Sequence, residues 1–370
     1  MITRYRKKLL LGLAGLAFAF LVGETAARVV LPLLPDPAGT SYIGDDACMY
    51  RLRPSAEGAF PEDHDEHINR YGFRDRNYAE AKTPGTYRVL GLGDSFVYGA
   101  VPIAENFLRL AEAELNGPGA PPTEILLLGV PGWSTENQAG VLADFGLSLA
   151  PDLVLVNFFV GNDVTGIPVR GRVIRGNLHP TTSPLPVRNF LRRSHLFLLF
   201  ESQVLRKMRR GLVAAQEAAP SDAVSDLYLK IMPHNLPVYR KQVDGRTERL
   251  WAEAEGYLQA IDRMCRRAGV PWLLILIPGE VQVDPAVREQ VLAGLDLAPA
   301  DYDFAAPQRR LEAFAASRGI VTLDLLPVLR RHHAPDRRLY VPNDTHWNEA
   351  GNRIAAAAVA AVVARLRREP

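Results

Sequence analysis

Cysteine is nearly absent from this chain: Cys48 and Cys265 are the only two among 370 residues. So few exclude a disulfide framework, and their spacing fits no metal module; one bridge, in an oxidising compartment, is the most they could form. A dominant charge is lacking as well. Lys and Arg number 43 against 41 Asp and Glu, a formal net charge of +2, so the whole chain offers no polycationic footprint and no nucleic-acid partner is expected. Two familiar glycine motifs also fail, at Gly91-Leu92-Gly93-Asp94-Ser95. A dinucleotide fingerprint needs glycine where Phe96 stands, and the nucleophile elbow needs it where Val97 stands.

What is present starts with Arg4, Arg6, Lys7 and Lys8, followed by an apolar stretch from Leu9 to Gly23. That stretch has 15 residues, whereas a bilayer-spanning helix needs ~20. The span therefore continues through Glu24 and Arg28 towards Leu34, with those two charges at i and i+4, placed to pair or to snorkel at the outer interface. The basic flank puts the amino terminus in the cytoplasm and the rest of the chain outside. A rival reading is a signal peptide cleaved near Thr25-Ala26-Ala27, giving a secreted protein. Apolar residues resume at Val29-Val30-Leu31, which favours an uncleaved anchor over residues 1–35.

Residues 36–87 read as a linker and a short β-rich arm, most ordered around 68–74. Within it His64 and His67 alternate with acids, a pattern expected for a solvated loop, since nothing there fixes a ligand geometry. From residue 88 to the carboxyl terminus, apolar runs at 88–92, 124–129, 152–158, 271–277 and 320–323 alternate with amphipathic stretches at 104–116, 136–149, 247–268 and 303–318. An alanine-rich helix is expected over 349–368. This alternation predicts an α/β domain with a parallel sheet covered by helices on both faces. The link from the third strand to the fourth is too long for a crossover and is taken as an inserted helical cap over 164–246. That segment holds fourteen basic residues against five acidic ones, +9, which leaves 29 against 36, or −7, for the rest. Its run 196–200, with Val204 and Leu205, leads into Arg206-Lys207-Met208-Arg209-Arg210. Such a sequence suits a membrane surface and a packed cap helix equally.

The chemistry centres on Ser95, which the first strand delivers to its carboxyl end, the edge where open α/β sheets bind ligands. A serine hydroxyl there is a nucleophile only if a base accepts its proton, and its oxyanion needs donors. Each later strand end offers one part. After the second comes Gly132, whose backbone N–H is unobstructed by a side chain. After the third comes Asn162, with a carboxamide donor. Before the last helix, in Asn343-Asp344-Thr345-His346-Trp347, Asp344 can orient the imidazole of His346, because alternate residues of an extended loop point the same way. Taken singly, each has a structural reading: Asp94 or Ser95 as a helix N-cap, Gly132 as a turn residue, Asn162 or Asp344 as further caps.

Together the blocks resemble the SGNH, or GDSL-type, hydrolase superfamily. The resemblance covers residue 88 to the carboxyl terminus apart from the insertion. It implies a flavodoxin-like three-layer α/β/α sandwich, with Ser95 as nucleophile, Gly132, Asn162 and the Ser95 amide as oxyanion hole, and His346 as base. Most members carry an aspartate three residues before the histidine, where this chain has Asn343; Asp344 lies two before. That D-x-H-W form is similar to the branch containing the alginate O-acetylation proteins, which sit outside the cytoplasmic membrane.

These readings imply a membrane-anchored, extracytoplasmic serine esterase or O-acyltransferase that works through an acyl-serine on acyl groups of envelope or exported polysaccharide, with no cofactor and no metal. Its partners would be an acylated carbohydrate or other ester, the membrane, and the envelope polysaccharide machinery. Trp133 and Trp347, beside Gly132 and His346, are candidates for stacking on a sugar face. Two other readings stand beside this one. One is a non-catalytic carbohydrate-binding or assembly subunit; the other is a metal site built from Asp344, His346 and the His332-His333 pair.

Overall fold

The computed structural model describes residues 2–30, 42–55, 67–167, 171–174, 176–180, 186–201 and 223–368. The linker at 36–40, His64 and the Arg206-to-Arg210 run lie outside the described residues. Each apolar run from residue 88 onward is a strand, and the four over 87–93, 123–129, 153–159 and 272–277 are buried almost throughout because both of their faces are covered. The strands are β3 (Tyr87–Gly93), β4 (Thr123–Gly129), β5 (Leu153–Phe159), β8 (Trp272–Ile277) and β9 (Val321–Asp324). They form one parallel five-stranded sheet in the order β4-β3-β5-β8-β9. Renumbered within the sheet this is 2-1-3-4-5, the flavodoxin-like order.

Alternation along the strands sorts the core. Val89, Ile125, Leu127, Leu153, Leu155, Leu273 and Ile275 point to one face and Leu90, Leu126, Leu128, Val154, Val156, Leu274 and Leu276 to the other. On the first face lie α3 (Phe107–Leu115), α12 (Leu326–His332) and α13 (Glu349–Leu366), which bury Leu108, Leu329 and Val359. On the second lie α4 (Thr135–Asp144), α8 (Gly245–Ala268) and α11 (Ala306–Ala316), which bury Leu142, Trp251, Leu258 and Leu311. The α/β/α sandwich expected from the sequence is therefore the fold observed. Short helices α2 (Ser95–Tyr98), α9 (Glu280–Val283) and α10 (Pro285–Gly294) line the carboxyl ends of β3 and β8.

The amino-terminal helix α1 (Ile2–Val30) contains a span, Tyr5–Val30, long and apolar enough to cross a membrane, with mean hydropathy 1.9 and its most apolar window wholly unburied. Glu24 and Arg28 pair on it at 2.8 Å. The arm is a hairpin, β1 (Tyr42–Asp45) and β2 (Met49–Leu52), followed by irregular chain. Its Asp75 accepts a hydrogen bond from Leu127 N on the free edge of β4 at 2.9 Å, which occupies an otherwise exposed ladder group.

Among the described residues the insertion combines helices with a short strand pair. It carries an antiparallel pair, β6 (Gly171–Ile174) and β7 (Asn177–Pro180). Helices follow: α5 (Pro186–Leu191), α6, described over residues 195–201, and α7 (Asp226–Asn235). Both cysteines are buried and unbridged. Burial pushes the Cys265 thiol up to about 12, so it stays protonated and inert.

Candidate active site

The strand β3 ends in Gly93, and Asp94 caps α2 by accepting the Phe96 N–H at 2.9 Å, which leaves Ser95 at the helix start with its side chain partly open to solvent. The glycines around it make room for the protein's own side chains. A Cβ on Gly129 would lie 2.5 Å from Val97 Cβ, and one on Gly93 would also strike Val97. Thus α2 lies flat across the ends of β3 and β4. From the arm, buried Arg74 holds the chain after α2 by donating to the carbonyls of Tyr98, Gly99 and Val101 at 3.0, 2.9 and 3.1 Å.

The histidine approaches from the far end of the chain. Residues 341–346 form a closed turn, where the sequence suggested an extended loop. Val341 N donates to His346 O at 2.9 Å, Tyr340 bridges to Trp347, and Asn343 takes φ 59°. Within the turn, Asp344 Oδ1 accepts from His346 N at 3.0 Å and lies 2.5 Å from His346 Nδ1. The opposite nitrogen, Nε2, is 2.7 Å from Ser95 Oγ. Burial works to raise the Asp344 carboxyl, but the adjacent imidazole and its hydrogen bonds prevail and hold it at about 2. Asp344 is therefore ionised at neutral pH, which fixes Nδ1 as a donor and leaves Nε2 to accept the serine proton.

Gly132 and Asn162 stand at the ends of the neighbouring strands. Gly132 is exposed at φ 79°, and a side chain there would meet Tyr50 Oη at 3.0 Å, so both backbone and space call for glycine. Among the described residues no acceptor takes the Gly132 or Ser95 amide. The arm fixes this loop, with Trp133 Nε1 donating to Tyr50 O at 2.9 Å and Asn137 Nδ2 to Cys48 O at 2.8 Å. Asn162 Nδ2 donates to Asp94 Oδ2 at 2.9 Å. A carboxamide nitrogen carries two hydrogens, so this bond orients Asn162 and still leaves one N–H to give. Burial pushes the Asp94 carboxyl up, opposed by the Phe96 N–H and the charge of His346. Asp163 is raised as well, by burial and then by the charge of Asp94.

Ser95, Gly132, Asn162, Asp344 and His346 are thus gathered at one edge of the sheet, with Ser95 and Asn162 on the two strands that flank its topological switch point. The tryptophans are placed otherwise than the stacking expectation requires. Trp133 is 0 % and Trp347 1 % exposed. Trp133 packs edge-on to Phe73, and Trp347 packs edge-on to Phe96 and Phe107, so neither presents a face to solvent. Their part is to seat the loops that carry Gly132 and His346. The His332-His333 pair also lies apart: His332 Nδ1 contacts Val328 O at 2.9 Å and His333 sits 3.8 Å from Asp284. Among the described residues no group of three or more His, Cys, Asp or Glu is arranged to hold a metal.

Five neighbours were given no part in the site by the sequence reading. Asn343 accepts from Ser225 N at 2.6 Å and donates to Ala223 O at 3.2 Å, which ties the returning insertion to the histidine turn. Its position, three before His346, was the one available signal. Tyr228 Oη donates to buried Glu280 at 2.9 Å, and burial pushes that carboxyl up to about 7. Tyr50 and Arg74 come from the arm, whose pattern carries no motif.

Residues 239–369 match the family model described as the SGNH hydrolase-like domain of the acetyltransferase AlgX, about a third of the chain. The recognition made from the sequence blocks is borne out there, over β8, β9 and the D-x-H-W turn; Ser95, Gly132 and Asn162 lie outside the match. No curated protein matches the chain. Among solved structures, it is similar to an acetyl xylan esterase at 15 % identity, covering 75 % of this chain and 99 % of that one, with a TM-score of 0.41. It is similar to a lipase/acylhydrolase from Enterococcus faecalis at 12 % identity, over 75 % and 95 % of the two chains, TM-score 0.39. A catalytic mutant of an acetylxylan esterase from Geobacillus stearothermophilus gives 11 % identity, 74 % and 92 % coverage and a TM-score of 0.39.

Proposed function

We propose that this chain is a membrane-anchored, extracytoplasmic serine esterase or O-acyltransferase acting on acyl, chiefly acetyl, groups of envelope or exported polysaccharide. The observation that carries the reading is the unbroken relay from Ser95 Oγ to His346 Nε2 at 2.7 Å and from His346 Nδ1 to an ionised Asp344 at 2.5 Å. A binding subunit has no use for a base in that geometry. In the reaction, His346 Nε2 takes the Ser95 proton as Oγ attacks the ester carbonyl. The carbonyl oxygen becomes an oxyanion that accepts from the Ser95 and Gly132 amides and the remaining N–H of Asn162. Collapse expels the alcohol, which leaves with the proton from His346, and an acyl-serine remains. Water or a sugar hydroxyl, deprotonated by the same nitrogen, then resolves it. Asp344 balances the imidazolium at both stages.

Support for the anchor comes from the apolar span Tyr5–Val30 and its basic flank. Support for acetyl transfer comes from the family match to an acetyltransferase domain. The test is turnover of p-nitrophenyl acetate by the full chain in detergent, with and without an acceptor polysaccharide, beside Ser95→Ala. Activity that disappears in Ser95→Ala is the expected result. Acetate recovered on the sugar identifies a transferase and acetate in water an esterase. Turnover unchanged by Ser95→Ala contradicts the mechanism, and a folded but inert wild type points to a non-catalytic assembly subunit.

A further inference from the structure

The insertion is fastened to α1 where that helix would leave the membrane. Glu24 accepts from Ser194 Oγ at 2.7 Å, from His195 N at 3.0 Å and from Leu196 N at 3.2 Å, so it caps α6 from another element. Arg28 Nη2 donates to Arg193 O at 3.2 Å, and the side chain of Leu196 lies over Gly23. About 20 residues counted from Leu9, enough to cross the hydrocarbon layer, end at Arg28.

Around that junction the insertion exposes apolar side chains that its packing does not require. Val187, Phe190, Leu191 and Phe200 are 70, 68, 39 and 67 % exposed, whereas Leu198 of α6 is buried at 1 %. Phe190 precedes Arg193 by one helical turn, with the Arg193 guanidinium 6.0 Å over its ring, and Phe200 follows Leu196 by one turn. Each therefore lies within about 10 Å along its helix of the contact with α1. A headgroup layer is of comparable depth, and short helices lying in it bury Phe and Leu some 5–10 Å into the acyl boundary while basic groups meet anionic lipid.

Resting on the anchor reading above, we infer that α5 and α6 form a second membrane contact: an interfacial shoe beside α1 whose Val187, Phe190, Leu191 and Phe200 enter the outer leaflet. Continuity with the helix that spans the bilayer identifies lipid as the occupant, and the excess of base over acid in residues 186–201, with Arg188, Arg192 and Arg193 against Glu201, matches an anionic surface. The consequence follows from chain order: the same insertion meets the histidine turn through Ser225 and the β8 end through Tyr228, so the element that rests on lipid also touches the reactive edge.

Tryptophan emission tests it in the full chain reconstituted into vesicles of phosphatidylethanolamine and phosphatidylglycerol, with bromine at shallow or deep acyl positions. The native Trp133, Trp251, Trp272 and Trp347 are buried and supply a constant background. Phe190→Trp and Phe200→Trp are each compared with wild type, and Phe18→Trp reports the span. The expected result is loss of emission at 190 and 200 with shallow bromine, more than with deep bromine, and the reverse order at 18. If position 18 is quenched while 190 and 200 are not, the shoe is overturned and the anchor stands. In that case iodide quenching at 190 and 200 shows open water, and protection from iodide shows a protein neighbour, which equally overturns it. Absence of quenching at all three positions removes the anchor reading too, whereas quenching at 190 and 200 alone supports the lipid contact without a span.

Discussion

A histidine that receives a serine proton must keep one nitrogen bare, and here a single carboxylate decides which. Because Asp344 sits 2.5 Å from Nδ1, Asp344→Asn would let the ring settle in the wrong tautomer. The expected loss is about 10²- to 10⁴-fold in kcat with little change in KM, read from p-nitrophenyl acetate kinetics. The adjacent Asn343→Asp should not rescue it, since Asn343 faces the insertion through Ser225 and Ala223. Asn162→Ala should cost about 10²- to 10³-fold, the usual worth of one oxyanion donor. Glu280 supplies a prediction on stability. Its folded value is about 7, above the ~4.3 of an unfolded glutamate, so the folded state binds its proton more tightly. Stability from this group is therefore highest below pH ~4.3, declines as pH rises to about 7, and is flat beyond. Glu280→Gln should remove that slope and be the more stable protein at pH 8 by about 2–4 kcal/mol, in urea melts at pH 5 and pH 8. An unchanged slope would mean that Glu280 stays charged. Ser95, Gly132 and Asn162 were legible because each follows the break of an apolar run, and His346 because it stands just before the last helix. Asp344 was legible by spacing, though as part of an extended loop. The second role of Asp94 was not, because a contact between positions 94 and 162 exists only once β3 and β5 are neighbours.

At the scale of elements, Ser95, the proposed nucleophile, is placed by close packing beneath it. The short α2 can lie across β3 and β4 only because Gly93 and Gly129 leave space for Val97. Gly129→Ala, with its new Cβ 2.5 Å from Val97 Cβ, should destabilise by about 1–3 kcal/mol. It should also lower kcat by shifting Ser95, and the companion Val97→Ala in the same chain should restore part of both. No loss of stability in Gly129→Ala would show that α2 is free to move. Strands and major helices were readable to within a few residues, since buried parallel strands are continuous apolar runs and the crossover helices keep a 3.6-residue period. The insertion was less readable. Its β6–β7 pair spans Gly171–Ile174 and Asn177–Pro180, too short to show alternation. The buried tryptophans misled because their place beside Gly132 and His346 in sequence does not decide which way they point, and both point into the core.

Over the whole molecule, both appendages converge on the loops that hold the site. The arm grips the Gly132 loop through Tyr50 and the chain after α2 through Arg74, and the insertion meets the histidine turn through Ser225 and the β8 end through Tyr228. Nothing in local pattern announces such bracing, which is a property of the assembled sheet. The anchor is a whole-molecule property with its own test: the full chain should stay with membranes after alkaline carbonate extraction, while release into the supernatant would favour cleavage or peripheral attachment. The central claim, however, is that Ser95 carries the acyl group. The most direct measurement is mass spectrometry of the full chain quenched in acid during turnover of p-nitrophenyl acetate and then digested. The account predicts one acetyl group on the peptide containing Ser95, absent from Ser95→Ala and from His346→Ala. An acetyl group found elsewhere, or undiminished turnover in Ser95→Ala with no acetylated peptide, would contradict it.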